Sequence, residues 1–164
     1  MRRVAARREC WHMKEILLIE DSESDAELLQ RTFRQVGVIN PVRWLTTGEE
    51  ALVYLKEAIQ AEGIGAPVPS VLIIDLKLPG VNGFQILETV KQLSLLAKSL
   101  RVVISSLEDT QSIKMAYAAG AHTFVVKPAK VEDITELIHS FPGYWTVAGR
   151  DGVQPGATPS LFGQ

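Results

Sequence analysis

Five positions in this 164-residue chain carry side chains that could do chemistry together. Glu20 and Asp21 stand side by side, Asp75 follows 54 residues after Asp21, Ser105 comes 30 residues later, and Lys127 another 22 on. Each comes at the end of an apolar run: Ile16–Ile19, Val71–Ile74, Val102–Ile104 and Thr123–Val126. Three carboxylates brought to one place repel one another and stay ionised together only beside a cation. Hard oxygen donors with room for water suit Mg²⁺. An ammonium group and a pair of hydroxyls, Ser105 and Ser106, suit an added anion. The set fits a site at which a carboxylate accepts a phosphoryl group beside a divalent metal. Singly, the same residues have plainer readings: acids favour a helix start, Asp75 a turn, and Lys127 the surface.

The joint reading requires elements that deliver these residues to one edge. The run Ile16-Leu17-Leu18-Ile19 is continuously apolar, as in a strand buried on both faces. Ala26, Leu29, Phe33 and Val36 then recur at helical spacing, with Ser22 and Asp25 placed as a capping box and Gly37 as a stop. Val42–Leu45 is a second strand, and Leu52, Leu55 and Ile59 mark a second helix that runs into a Gly/Pro loop at 62–69. The alternation repeats with strands at Val71–Ile74, Val102–Ile104 and Thr123–Val126. Between and after them come helices from about Gly83 through Ala97, before Gly120, and through Val131, Ile134 and Ile138. Such alternation calls for right-handed crossovers, a parallel sheet and helices on both faces. In open sheets of this kind the active crevice lies at the carboxyl ends of the strands, where all five residues fall.

Composition narrows the function classes. With 46% hydrophobic and 22% charged residues the chain reads as one ordinary globular domain. One cysteine, Cys10, excludes an internal disulfide and a CxxC site, and His12, His122 and His139 lack zinc-ligand spacing. No apolar run is long enough to span a membrane. Residues 1–14 hold five basic residues and one acid, which leaves the remainder at a net charge of −6. That imbalance predicts a basic arm over residues 1–13, disordered or an upstream extension ahead of a start at Met13, and a cytoplasmic acidic body. A Walker loop is absent, and Gly63-Ile64-Gly65 is an incomplete dinucleotide fingerprint.

Four ordered segments carry a family likeness: Ile16-Leu17-Leu18-Ile19-Glu20-Asp21, Ile73-Ile74-Asp75-Leu76-Lys77-Leu78-Pro79-Gly80, Val102-Val103-Ile104-Ser105-Ser106 and Phe124-Val125-Val126-Lys127-Pro128. Over residues 14–140 the chain resembles the receiver domain of response regulators in two-component signalling. The resemblance implies a flavodoxin-like, doubly wound α/β fold with a five-stranded parallel sheet in the order 2-1-3-4-5. It implies that Asp75 takes a phosphoryl group from a histidine kinase. Mg²⁺ (or Mn²⁺) would be held by Glu20, Asp21, Asp75 and the backbone carbonyl of Lys77. Ser105 and Lys127 would contact phosphoryl oxygens, the Lys127–Pro128 peptide would be cis, and Phe124 would turn inward as Ser105 moves. Such a protein catalyses only its own phosphorylation and dephosphorylation. Its signal would pass through the face of the fourth helix, fifth strand and last helix to a downstream protein. The alternatives are a phosphate shuttle to a histidine phosphotransfer protein and a phosphorylation-independent interaction module.

Glu20 and Ser105 depart from the commoner Asp and Thr of that family. Lys77 and Leu107 occupy positions that tune hydrolysis and offer no acid or amide to orient water, which predicts a long-lived phosphoryl group. Lys77 also stands where a haloacid-dehalogenase-like phosphatase wants its second acid. The long Asp21-to-Asp75 interval and the tail residues Tyr144 and Trp145 resemble single-domain regulators associated with phytochrome kinases. Residues 141–164 read as a tail with no output domain, hence no direct DNA binding. Phe141, Tyr144 and Trp145 either dock a partner, including a second copy in a homodimer, or fold back on the last helix.

Overall fold

The computed structural model describes residues 14–61 and 68–148. The basic arm read at residues 1–13, most of the Gly/Pro loop and the tail beyond residue 148 lie outside the described residues. Among the described residues the elements follow in the order β1 (Ile16–Ile19), α1 (Glu23–Gln35), β2 (Val42–Leu45), α2 (Gly48–Ala61), β3 (Val71–Ile74), α3 (Gly83–Gln92), a 3₁₀ turn (Ser94–Leu96), β4 (Leu100–Ser105), α4 (Thr110–Ala118), β5 (Thr123–Val126) and α5 (Val131–Ser140). All five strands are parallel, in the order β2-β1-β3-β4-β5, as expected of the flavodoxin-like arrangement.

Strand periodicity divides the core in two. Leu17, Ile19, Leu72, Ile74 and Val103 face one layer with Ala51, Leu55, Ile86, Leu87 and Ala116 of α2, α3 and α4. Their neighbours Ile16, Leu18, Val71, Ile73, Val102 and Ile104 face the other, with Ala26, Leu29 and Phe33 of α1 and Ile134 and Leu137 of α5. Covering both faces removes water from every side chain of β1 and β3, so their sequences are unbroken apolar runs. Each buried Ile or Leu contributes about 1.5–3 kcal/mol of transfer free energy. Register then places the chemistry: Ile19 pairs with Ile74 and Ile74 with Val103, so β1 and β3 release their next residues, Glu20 and Asp75, at one level.

Three local expectations are corrected. The third helix stops at Gln92 rather than continuing through Ala97, because Leu93 turns extended before a separate 3₁₀ turn that buries Leu96. No Gly or Pro marks that break; the apolar spacing of Leu93 and Leu96 imitates a helix while packing sets the bend. β4 begins two residues earlier than the apolar run, at Leu100, which pairs with Val71. The capping box at α1 is only half made. Ser22 accepts the Asp25 amide at 3.3 Å, but the Ser22 amide goes to Glu20 Oε1 at 3.0 Å and the Asp25 carboxylate turns elsewhere. A reciprocal box forms instead at α3, between Asn82 and Gln85.

Residues 141–148, after α5, fold back on the domain against α1, α5 and the α1–β2 turn. Ile39 donates to Thr146 and Ala148 to Gly37, both at 2.8 Å, around an antiparallel bridge between Val38 and Val147. The buried Asn40 side chain donates to the Tyr144 carbonyl and accepts from the Thr146 amide. Trp145 packs on Phe33, ring centres 5.9 Å apart. Gly37 lies at φ 85°, a conformation in which a side chain would be strained.

Candidate functional site

The backbone ladder continues past the strand ends and fixes the two inner acids. Glu20 N donates to Leu45 O and Asp75 N to Ile19 O, each at 3.0 Å. Their side chains are nearly enclosed, at 4% and 5% exposure, whereas Asp21 next door is exposed. Carboxylate oxygens of Glu20, Asp21 and Asp75 lie within 4.8 Å of one another. Lys127 enters from the end of β5, where its amide donates to Ser105 O at 2.9 Å and its peptide to Pro128 is cis.

The Lys127 ammonium meets Glu20 Oε2 at 2.6 Å, Asp75 Oδ2 at 2.8 Å and Asp25 Oδ2 at 2.9 Å. The ammonium donates hydrogen bonds to Asp75 and Asp25 and forms a close ion pair with Glu20. Burial alone would pull the Lys127 pKa down, but the bonds to Asp75, Glu20 and Asp25 outweigh it and hold the group well above its ordinary value. For Glu20, burial dominates and raises the carboxyl above its usual range, against the opposing bonds from Lys127 and Ser22. Four acids face one ammonium here, so the site keeps an excess of negative charge. Three hard oxygen donors with one open, solvent-facing member fit a small divalent cation such as Mg²⁺ or Mn²⁺.

The other expected residues sit around this centre. Lys77 is exposed, and its amide donates to Asp75 Oδ1 at 3.0 Å, folding the β3–α3 loop over the acid. Ser105 is fully buried, with Oγ accepting the Leu107 amide at 3.3 Å rather than reaching Asp75 or Lys127. Leu107 and Phe124 are half-buried and pack against the α2–α3–α4 layer.

Three contributors escaped the sequence reading. Asp25 reads in the sequence as a cap partner of Ser22, yet in the first turn of α1 its carboxylate reaches the Lys127 ammonium at 2.9 Å. Trp44, on edge strand β2, donates from Nε1 to the Glu20 carbonyl at 2.7 Å. Glu49, in the first turn of α2, accepts the Val81 amide at 3.0 Å and pins the loop after Asp75. The last two had no sequence signal, because each acts on backbone brought near only by the sheet.

Comparison with known proteins converges on one group. The family profile described as the response regulator receiver domain matches residues 16–139. The chain is 31% identical over 130 residues to the probable methanogenesis regulatory protein FilR2 of Methanothrix harundinacea (strain 6Ac), covering 79% of this chain and 82% of that protein. Among solved structures, the bacteriophytochrome response regulator AtBRR superposes with a TM-score of 0.70 at 30% identity, covering 84% of this chain and 99% of that one. The Mn²⁺-bound form of response regulator Rcp1, a protein of Synechocystis sp., gives a TM-score of 0.64 at 27% identity, covering 78% and 93%.

Proposed function

Because this chain belongs to the response regulator receiver domains, we propose that Asp75 is its phosphoacceptor, charged by the phosphohistidine of a partner histidine kinase. A carboxylate oxygen of Asp75 attacks phosphorus, the P–N bond breaks, and the imidazole leaves with that electron pair. The observation that carries this reading is the meeting of Asp75 with Lys127 at 2.8 Å inside a cluster of three carboxylates. Transfer of this kind is chiefly positioning and charge neutralisation. Glu20, Asp21 and Asp75 would hold Mg²⁺ or Mn²⁺, with the Lys77 carbonyl as a further ligand. A divalent ion bound there supplies positive charge for the transferring oxygens. Lys127 exchanges one carboxylate for a phosphoryl oxygen. Ser105 gives up the Leu107 amide to hydrogen-bond another, and Phe124 follows it inward.

The readout passes to a protein partner through α4, β5 and α5. Exposed Met115 and Tyr117 on α4, and a groove of about 480 Å³ beside β5 and α5 reaching from Phe124 to Phe141, support that surface. The likeness to a bacteriophytochrome response regulator favours a phytochrome-type kinase as the donor. No helix among the described residues is long and apolar enough to cross a membrane.

The test is intact-protein mass after incubation with acetyl phosphate and Mg²⁺, and with a panel of histidine kinases. One phosphoryl adduct, dependent on the metal and missing in Asp75→Asn, is the expected result. Failure of both small donor and kinases to label the protein would leave a phosphorylation-independent binding module.

A further inference from the structure

Of the three carboxylates on Lys127, Asp25 is the odd one. Glu20 and Asp75 are nearly enclosed, follow strand ends, and belong to the cluster whose oxygens could share a cation. Asp25 projects from the first turn of α1, its side chain is 43% exposed, and it lies outside that cluster. The same two oxygen-bearing groups, Glu20 and Asp75, are therefore claimed by both the ammonium and any metal. Two cations cannot share them at full strength. For a divalent ion to settle, Lys127 has to slacken its hold on Glu20 and Asp75 yet stay beside the acceptor. An anion that binds Lys127 and has no part in the metal cluster meets that need, and the Asp25 carboxylate, 2.9 Å from the ammonium, is placed to do so.

We infer that Asp25 is a positioning residue that draws the Lys127 ammonium toward α1 and so frees Glu20 and Asp75 to take the divalent cation. This rests on the reading of the site as a metal-dependent phosphoacceptor. Its local consequence is visible in the half-made cap of α1: the Asp25 carboxylate forgoes the Ser22 amide, which Glu20 Oε1 takes up instead. A residue in the first turn of a helix is thereby coupled to a site built at the ends of three strands.

The experiment is a double-mutant cycle on metal binding, read as free Mn²⁺ by electron paramagnetic resonance with the full chain, so no phosphoryl transfer is involved. Asp25→Asn is expected to weaken Mn²⁺ binding about fivefold while Lys127 is present, the size of a direct coupling between touching residues. In a Lys127→Ala background the same change should shift affinity by less than about twofold, because the residue acts through the lysine. Asp25→Glu, which keeps the charge, should recover most of the loss, and circular dichroism checks that each variant folds. An equal loss in both backgrounds would mean simple through-space charge and overturn the inference, as would no loss at all. The wild-type acetyl phosphate adduct is measured alongside. Its absence would sink the phosphoacceptor reading even if the cycle behaved as expected, so the two failures are separable.

Discussion

Trp44 and Glu20 are joined across two strands: the indole N–H of an edge-strand residue donates to the backbone carbonyl of the innermost acid at 2.7 Å. This bond braces the β1–α1 link from the side on which the sheet ends, so that a residue with no reactive group fixes where a carboxylate stands. Trp44→Phe keeps most of the ring's packing and removes only the donor. The expected cost is about 1 kcal/mol of folding free energy, with weaker Mn²⁺ binding. Urea denaturation and metal titration of the variant check both; unchanged metal affinity would confine Trp44 to a structural role.

Gly83 opens α3 against the loop that follows Asp75. A Cβ there would collide with the Asp75 carbonyl and the Leu76 backbone. Gly83→Ala should therefore lower stability by about 1–3 kcal/mol, the usual cost of overpacking, and slow labelling of Asp75 by moving its backbone. A variant that is destabilised but labels at the wild-type rate would show that the loop adjusts without disturbing the acid.

The carboxylates gathered at the strand ends should give the fold a metal dependence. A cation that binds the folded site and not the unfolded chain stabilises by mass action. Millimolar Mg²⁺ should raise the melting temperature by a few degrees, and ethylenediaminetetraacetate should reverse it. Asp21→Asn, which takes away the open ligand and leaves the Lys127 contacts alone, should abolish most of the increment.

Lys77 is exposed and Leu107 half-buried, and neither carries an acid or amide with which to orient a water. The phosphoryl adduct is expected to outlast the purification of the labelled protein. Leu107→Gln, by supplying an amide at the rim of the site, should shorten its lifetime about tenfold, or 1.4 kcal/mol of barrier. Mass spectrometry of aliquots over time measures both; rapid loss from the wild type would contradict this account of positions 77 and 107.

His122 gives stability a pH dependence that can be isolated. Its Nδ1 accepts the Arg101 amide at 2.9 Å. Burial, and then the nearby Arg101 charge, lower its pKa below 6.5. The unfolded chain thus binds a proton more readily than the native one, so the contribution of His122 is complete above pH 6.5 and falls away as the pH drops below it. Denaturation midpoints between pH 7.5 and 5 should decline more steeply for the wild type than for His122→Gln. Parallel curves would mean that the ring titrates alike in both states.

How much of this was legible in the sequence depended on the range of the interactions. β1 and β3 can be read to the residue because strands buried on both faces leave continuous apolar runs, and the edge strands β2 and β5 because short segments rich in apolar and β-branched residues mark them. β4 was clipped at Leu100 because Arg101 interrupts its run; that side chain leaves the strand to donate to the Gly120 carbonyl at 2.6 Å. That Glu20, Asp21, Asp75 and Lys127 come to one edge is legible because strand ends are themselves legible. Asp25 and Trp44 were not, since a helix start and an edge strand explain those residue types without any chemistry.

The returning tail has a practical corollary for the extent of the folding unit. The family match ends at residue 139, yet the bridge of Val147 to Val38, the Asn40 bonds to Tyr144 and Thr146, and the Trp145–Phe33 stack all lie beyond it. A chain cut at the family boundary would keep every reactive side chain and lose the lid over Phe33. It would leave an aromatic face of α1 wet and two backbone groups of the α1–β2 turn without their partners, and so favour aggregation.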